Sequence, residues 1–421
     1  MTDYSDPQFR AARLKKRYRA EKRFRAYGMA AIITAGLILV FLLGSIVYSS
    51  IPAFTHHHVR LDIDVSTDYV SPDAPEEGNY LGLVRAGLRG HFPEVTGRRD
   101  KRALYKILSI GASDGVEARV KADPSLIGTR LSLYVPFSDD IDLVLKGLID
   151  RNLPESDRIV SDRSLGWLDK LAAEDRIERK FAFALFTNGD SREPEMAGIK
   201  GALVGSLWTI LVTLIVSFPL GVLAAIYLEE VAPKNRYTAL IEVNINNLAA
   251  VPSIVYGLLG LAVFINFFHL PRSAPLVGGL VLALMTLPRI IIPTRAAFAS
   301  IPPSIREAAL GVGASRAQVI MHHVLPLAMP GILTGTIIGL AQAAGETAPL
   351  LMIGMMAFIV DVPTDVTAKA TVLPAQIYMW ANNPERAFVA RTSAGIVVLL
   401  SLLLVVNAAA IYMRKRFEKR W

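Results

Sequence analysis

No side chain between Tyr27 and Tyr48 carries a charge, and a helix over this run is long enough to cross a membrane. Hydrocarbon about 30 Å thick needs roughly 20 mostly apolar residues, because an α-helix rises about 1.5 Å per residue. Ahead of the run stand the basic residues Arg10, Arg13, Lys15, Lys16, Arg17, Arg19, Lys22, Arg23 and Arg25. By the positive-inside rule they hold the N-terminus in the cytoplasm. A signal peptide would have a shorter apolar core and a small-residue cleavage site. No clean Ala-x-Ala pattern follows Tyr48, so the segment reads as a retained anchor.

Five further apolar runs follow, at residues 201–228, 248–268, 276–298, 327–360 and 392–413. Six spans return the C-terminus to the cytoplasm, where Arg414, Lys415, Arg416, Lys419 and Arg420 form a basic tail. This topology turns loops 229–238 and 299–326 inward, and 52–198, 269–275 and 361–391 outward.

Sorting the charges by segment supports one soluble insert. The 421 residues carry a net +8, yet residues 56–198 hold 25 acidic and 20 basic side chains, a net −5. The remainder holds 25 basic against 12 acidic, so the basic excess belongs to the membrane part and serves orientation rather than nucleic-acid binding. With no cysteine, disulfides, thiolate metal sites and Cys catalysis are excluded.

The insert, roughly 145 residues, reads as a mixed α/β domain. Val59, Leu61, Ile63 and Val65 alternate with polar residues as a half-buried strand does, and 131–135 is a second strand candidate. Ser138 followed by Ile141, Val144, Leu145 and Leu148 predicts an N-capped amphipathic helix, and a longer helix is expected over 165–186. The run 191–195, with Pro194, marks the return to the membrane. His56, His57 and His58 invite a metal reading, but consecutive side chains diverge, so they read as a loop flank; His322 and His323 are treated alike.

In the inward loop after the fourth span, Glu307, Ala308 and Ala309 are followed after three residues by Gly313, and later by Leu325 and Pro326. This spacing resembles the EAA loop of ABC importer permeases, with His323 at the position of the family's Ile. Such a loop is a helix, a Gly turn and a second helix, shaped to seat in a groove of another protein. Three further strings, Tyr227-Leu228-Glu229-Glu230, 251–257 (VPSIVYG) and 345–351 (GETAPLL), look like the permease of the phosphate-specific transporter, the PstA type. The likeness covers roughly 201–413; many members carry Arg where this chain has Gln342.

The resemblance implies a mainly α, polytopic, six-helix protein of the type I ABC importer permease fold, with an α/β extracytoplasmic insert between helices 1 and 2. It divides the chain into a basic N-terminus (1–26), helix 1 (27–50), the extracytoplasmic domain (51–198), the permease domain (199–413) and a basic tail (414–421). It further implies a homologous second permease subunit, two ATP-binding cassette subunits, an extracytoplasmic phosphate-binding protein and a place in the inner membrane. The chain itself needs no cofactor, since ATP and Mg belong to the ATPase partner.

A charge at bilayer depth costs at least about 2.5 kcal/mol, so those that occur are usually functional. Glu346 falls near the middle of the fifth span and Arg289 near the middle of the fourth, at similar depth in antiparallel helices. They are candidates to pair and, with Thr347, to line the translocation path. Arg295 is the fourth path candidate, although its position nearer the inner surface suits a snorkelling anchor. Pro252, Pro288 and Pro293 kink their spans, Glu242, Asn244, Asn246 and Asn247 form a polar interfacial turn, and Glu229 and Glu230 are solvated.

No Gly-x-x-x-x-Gly-Lys-Ser/Thr loop, Gly-x-Ser-x-Gly elbow or His-Glu-x-x-His string is present, so no chemistry is expected on this chain. The leading expectation is a phosphate permease without metal or catalytic residues of its own. The alternatives are a permease for molybdate or sulfate, or a membrane sensor, for which the tails are too short to hold an output module.

Overall fold

The computed structural model describes residues 7–417. Residues 1–6 of the basic N-terminus, and Lys419 and Arg420 of the basic tail, lie outside them. The first helix, α1 (Pro7–Ser50), is continuous for 44 residues, about 66 Å, so its basic half projects beyond any bilayer it spans. Its described side chains are almost all exposed, as a lipid-facing helix requires.

The inserted domain contains β1 (Thr55–Asp64), α2 (Tyr80–Gly90), α3 (Arg98–Tyr105), α4 (Asp114–Ala122), β2 (Arg130–Pro136), α5 (Asp139–Leu145), α6 (Asp162–Ala173), β3 (Ile177–Phe181) and α7 (Ala184–Thr187). The strands form an antiparallel sheet in the order β2-β1-β3. Val59, Leu61 and Ile63 are buried on one sheet face against Leu83, Leu88, Leu104 and Leu168 of the helices, so the period-2 pattern is realised. Two expectations fail. The helix expected over 165–186 stops at Ala173, because Asp175 takes a left-handed turn at φ 53°, and the chain then pairs as β3 with β1. The helix after Ser138 ends at Leu145, because Gly147 turns at φ 71° and leaves Leu148 exposed.

The membrane part comprises α8 (Lys200–Ile226), α9 (Arg236–Ala249), α10 (Ser253–Gly260), α11 (Pro275–Ala299), α12 (Pro303–Gly311), α13 (Arg316–Gln318), α14 (Leu325–Gly345), α15 (Ala348–Met352), α16 (Leu373–Ala381) and α17 (Ala387–Phe417). Five helices among the described residues are long and apolar enough to span a bilayer, and a sixth span results if the bent pair 236–267 counts as one. That pair turns by 102°, so the third span is broken and the polar stretch at Glu242–Asn247 is helical, not a turn. Pro252 is the cause: it lacks an N–H and its ring excludes the carbonyl of Leu248. The Tyr256 hydroxyl donates to that carbonyl at 2.7 Å, alongside the Val251 N–H at 3.2 Å.

The fifth span is likewise shorter than expected. Pro349 would drive its ring into the Gly345 carbonyl, so α14 ends at Gly345 rather than continuing to 360, and the expected outer loop contains α16. Where apolar lipid gives no driving force between helices, close packing needs small side chains. On α14, Gly331, Gly335 and Gly339 repeat every fourth residue, and added Cβ atoms there would come 2.5, 2.8 and 2.9 Å from Ala297, Pro293 and Thr286 of α11. On α8, Thr209, Thr213 and Ser217 donate to the carbonyls of Gly205, Thr209 and Thr213, satisfying their hydroxyls within the helix where it packs on α11.

Candidate functional site

The EAA segment folds as a helix–turn–helix. Pro303 opens α12, Ala309 is buried against Val319, Val324 and Phe298, and Glu307 and Ala308 remain exposed. Gly313 turns the chain at φ 89°, a conformation costly for any residue with a Cβ. Ser315 then caps α13 in a capping box with Gln318, and a π-turn over Val319–Val324 feeds Leu325 and Pro326 into α14. Between the two arms lies a cleft of about 570 Å³, lined by Ile305, Ala308, Val312, Pro326 and Leu327 with His322 and His323 at its edge. Val312 is 86% exposed, so the arms present apolar surface outward.

One arginine ties this loop to the spans, and a second ties the spans to one another. Arg306 of α12 bonds Glu230, at the end of α8, at 2.6 Å, and donates to the carbonyls of Ile301 and Phe298 at 2.7 and 2.9 Å. A cation there complements the C-terminal dipole of α11. Arg295 of α11 bonds Glu242 of α9 at 2.7 Å and Glu229 at 3.3 Å. Arg295 is therefore held by carboxylates and does not snorkel freely, and Glu229 and Glu230 are ion-paired instead of solvated. Desolvating one member of such a pair without the other would be costly, which is why they meet.

The strings at 251–257 and 345–351 meet in space: an added Cβ on Gly257 of α10 would come 2.7 Å from the Cα of Pro349 at α15. Arg289 projects from α11 beside Gly339 of α14, where an added Cβ would lie 3.6 Å from the Arg289 Cβ, and its Nη1 is buried without a hydrogen-bond partner. Glu346 and Thr347 occupy the break between α14 and α15, both partly buried. Among the described residues no ion pair joins Arg289 to Glu346. Equal depth was the premise for pairing, and the early end of α14 takes Glu346 off the helical ladder that premise assumed.

Residues 217–421 match the family described as "Binding-protein-dependent transport system inner membrane component", and residues 11–155 match a domain of unknown function, DUF3333. The chain is 31% identical over 218 residues to a phosphate transport system permease protein, PstA 1, of Mycobacterium tuberculosis, covering 52% of this chain and 70% of that one. The chain belongs to the PstA-type ABC transporter permeases. It is 29% identical over 256 residues to a probable ABC transporter permease protein, YqgI, of Bacillus subtilis, covering 57% of this chain and 86% of that one. A solved inward-facing MetNI methionine ABC transporter chain aligns at TM-score 0.42 and 18% identity, covering 52% of this permease and 97% of that chain.

One constellation in the permease escaped sequence reasoning. His56 and His57 lie on β1 rather than on a loop flank, and their Nδ1 atoms approach Asp142 of α5 at 3.1 and 2.8 Å. Lys146 bonds the same carboxylate and donates to the carbonyls of Pro52 and Thr55 at 2.7 and 2.6 Å, where α1 hands over to the domain. Burial alone would raise the Asp142 carboxyl, but hydrogen bonds from His56 and His57 and the charge of Lys146 hold it well below the usual carboxylate range. Beside them Arg391, at the head of α17, donates to the Glu195 carbonyl at 3.3 Å. Among the described residues no group of three or more His, Asp or Glu is arranged to hold a metal. The triple His marks this joint only by its type; its partners are more than eighty residues away.

Proposed function

We propose that this chain is the permease subunit of an ATP-driven importer of inorganic phosphate in the inner membrane, with both termini cytoplasmic and residues 51–198 outside. The observation that carries the reading is the open apolar cleft between α12 and α14, rigidly joined through Arg306 to α8 and α11. A surface that is exposed, apolar and tied to the spans suits a subunit that delivers motion. In this reading two ATP-binding cassette subunits seat Glu307, Ala308, Ala309 and the Gly313 turn, and they supply the ATP and Mg chemistry. A homologous second permease completes the pathway, and an extracytoplasmic phosphate-binding protein delivers the anion.

Phosphate as cargo is supported by the names of the PstA relatives and by Arg289. Its unpartnered guanidinium nitrogen, placed between α11 and α14, offers a donor to an oxyanion. Glu346 and Thr347 at the helix break complete the proposed path, and Arg295, engaged by Glu229 and Glu242, stands at its coupling end. Broken helices are where transporters form such paths, since their irregular backbone lines a cavity instead of lipid. Radiolabelled phosphate uptake in a strain lacking this chain, with sulfate and molybdate as controls, tests the reading. High-affinity phosphate uptake should fall alone; a fall in sulfate or molybdate uptake instead would transfer the assignment to that anion.

A further inference from the structure

The inserted domain holds an open cleft of about 890 Å³ with two walls of opposite charge. One wall carries Arg85 of α2, Arg98, Lys101 and Arg102 of α3, and Lys106. The other carries Asp139 and Asp140 of α5 with Glu193 and Glu195. Among the described residues none of these nine charges belongs to an ion pair, although the domain pairs Lys121, Lys146, Arg158, Arg163 and Arg176. Five unpaired cations are thus gathered on one wall of an acidic domain, a concentration of like charge that steers an acidic partner toward it.

Between the walls lies apolar surface. Ile110 is 68% exposed in the cleft, and Tyr105 lies under the Arg85 guanidinium at 5.1 Å. An apolar centre flanked by charged rims is the anatomy of a protein–protein interface. A small oxyanion fits less well: the cleft exceeds it many times in volume, and the carboxylate wall repels it.

The cleft also adjoins the joint with the membrane helices. Asp139 and Glu195 line both the cleft and a cavity of about 30 Å³ that they share with His56, Lys146 and Arg391. The Nη1 atom of Arg391 and the Oε2 atom of Glu195 are buried there without partners. Whatever rests on the carboxylate wall therefore sits one side chain from the head of α17, and through Lys146 from the end of α1.

We propose that this two-signed cleft is a docking surface for the extracytoplasmic solute-binding protein, which inserts a segment with acidic residues toward α2 and α3, basic residues toward α5 and an apolar residue against Ile110. The proposal rests on the importer reading above, and it adds a contact outside the membrane helices. Docking there loads the joint at Asp139 and Glu195, so the inserted domain carries the docked state to α1 and α17.

The test uses the full complex, this chain with its second permease and ATPase subunits, in lipid nanodiscs, titrated with the purified phosphate-binding protein of the same cell, phosphate-loaded and empty. The triple change Arg98→Glu, Lys101→Glu, Arg102→Glu should weaken docking by at least about tenfold, and Ile110→Asp by a similar factor. Arg60→Glu with Arg119→Glu, outside the cleft, should leave it within about twofold at equal salt. Each complex is first checked for unchanged thermal unfolding, so Ile110→Asp decides if the triple variant misfolds. Docking that survives both cleft variants overturns the proposal. So does tripolyphosphate binding that the triple variant abolishes while the binding protein still docks normally. Cleft-dependent docking in a complex that moves no phosphate leaves this proposal standing and removes the substrate reading; cleft-independent docking with normal uptake does the reverse.

Discussion

The guanidinium of Arg306 meets the carboxylate of Glu230 at 2.6 Å, joining the helix of the EAA loop to the end of α8 across 76 residues of sequence. The same guanidinium closes the carbonyl end of α11. A push on α12 therefore reaches two spans through one side chain.

Arg306→Ala or Glu230→Gln should each lower stability by about 1–3 kcal/mol, since either leaves a partly buried charge or polar group unmatched. The double variant should be little worse than the more damaging single, giving a coupling energy of about 1–3 kcal/mol in thermal unfolding of the detergent-solubilised chain. Strict additivity would show that the two groups do not act as a pair. On the importer reading proposed above, ATP hydrolysis should persist in the assembled complex while transport per ATP falls.

Gly257→Ala should destabilise by about 1–3 kcal/mol, because the new methyl meets the backbone of Pro349 and α10 and α15 must part. Gly345→Ala meets nothing within 4 Å and should be tolerated. Thermal unfolding midpoints and uptake assays on the two variants compare them directly; equal damage would mean that the glycines matter for flexibility rather than for close approach.

Asp142→Asn should loosen the inserted domain by about 3–5 kcal/mol, since Lys146 keeps its charge in a site where the Asp142 side chain is only 6% exposed. Hydrogen exchange on the full chain should report faster opening around β1 and α5 and unchanged protection in α11.

The pH dependence of the domain should carry the mark of His58. Burial pushes its imidazole from the ordinary 6.5 down to about 4, with His56 and Lys180 adding to the effect and Asp142 opposing it. The unfolded chain thus binds the proton more readily between these values. Its contribution to stability is present above pH 6.5 and is lost as pH falls toward 4. Unfolding of the full chain followed over that window should show a steeper acid loss than His58→Gln; identical slopes would place the acid sensitivity elsewhere.

Much of the membrane part was legible because a span is a local property. Each apolar run records its own transfer from water to lipid, and no partner is needed to read it. The alternation through Val59, Leu61 and Ile63 was legible for the same reason, as was the EAA spacing. The breaks were half visible: Pro252 and Pro349 stand in the sequence, but only the stereochemistry at Leu248 and Gly345 turns them into helix ends.

Pairing was not legible. Depth along the spans matches Arg289 with Glu346, whereas the structure matches Arg306 with Glu230, Arg295 with Glu242, and His57 with Asp142. An ion pair forms where Coulomb attraction at a few ångströms offsets the loss of hydration, and that depends on which side chains face each other after the helices have packed. The sequence by itself determined which segments are apolar enough to enter the membrane and where the EAA spacing lies. Only the tertiary structure decided which charges meet, because short-range geometry between distant segments is not written in spacing or composition.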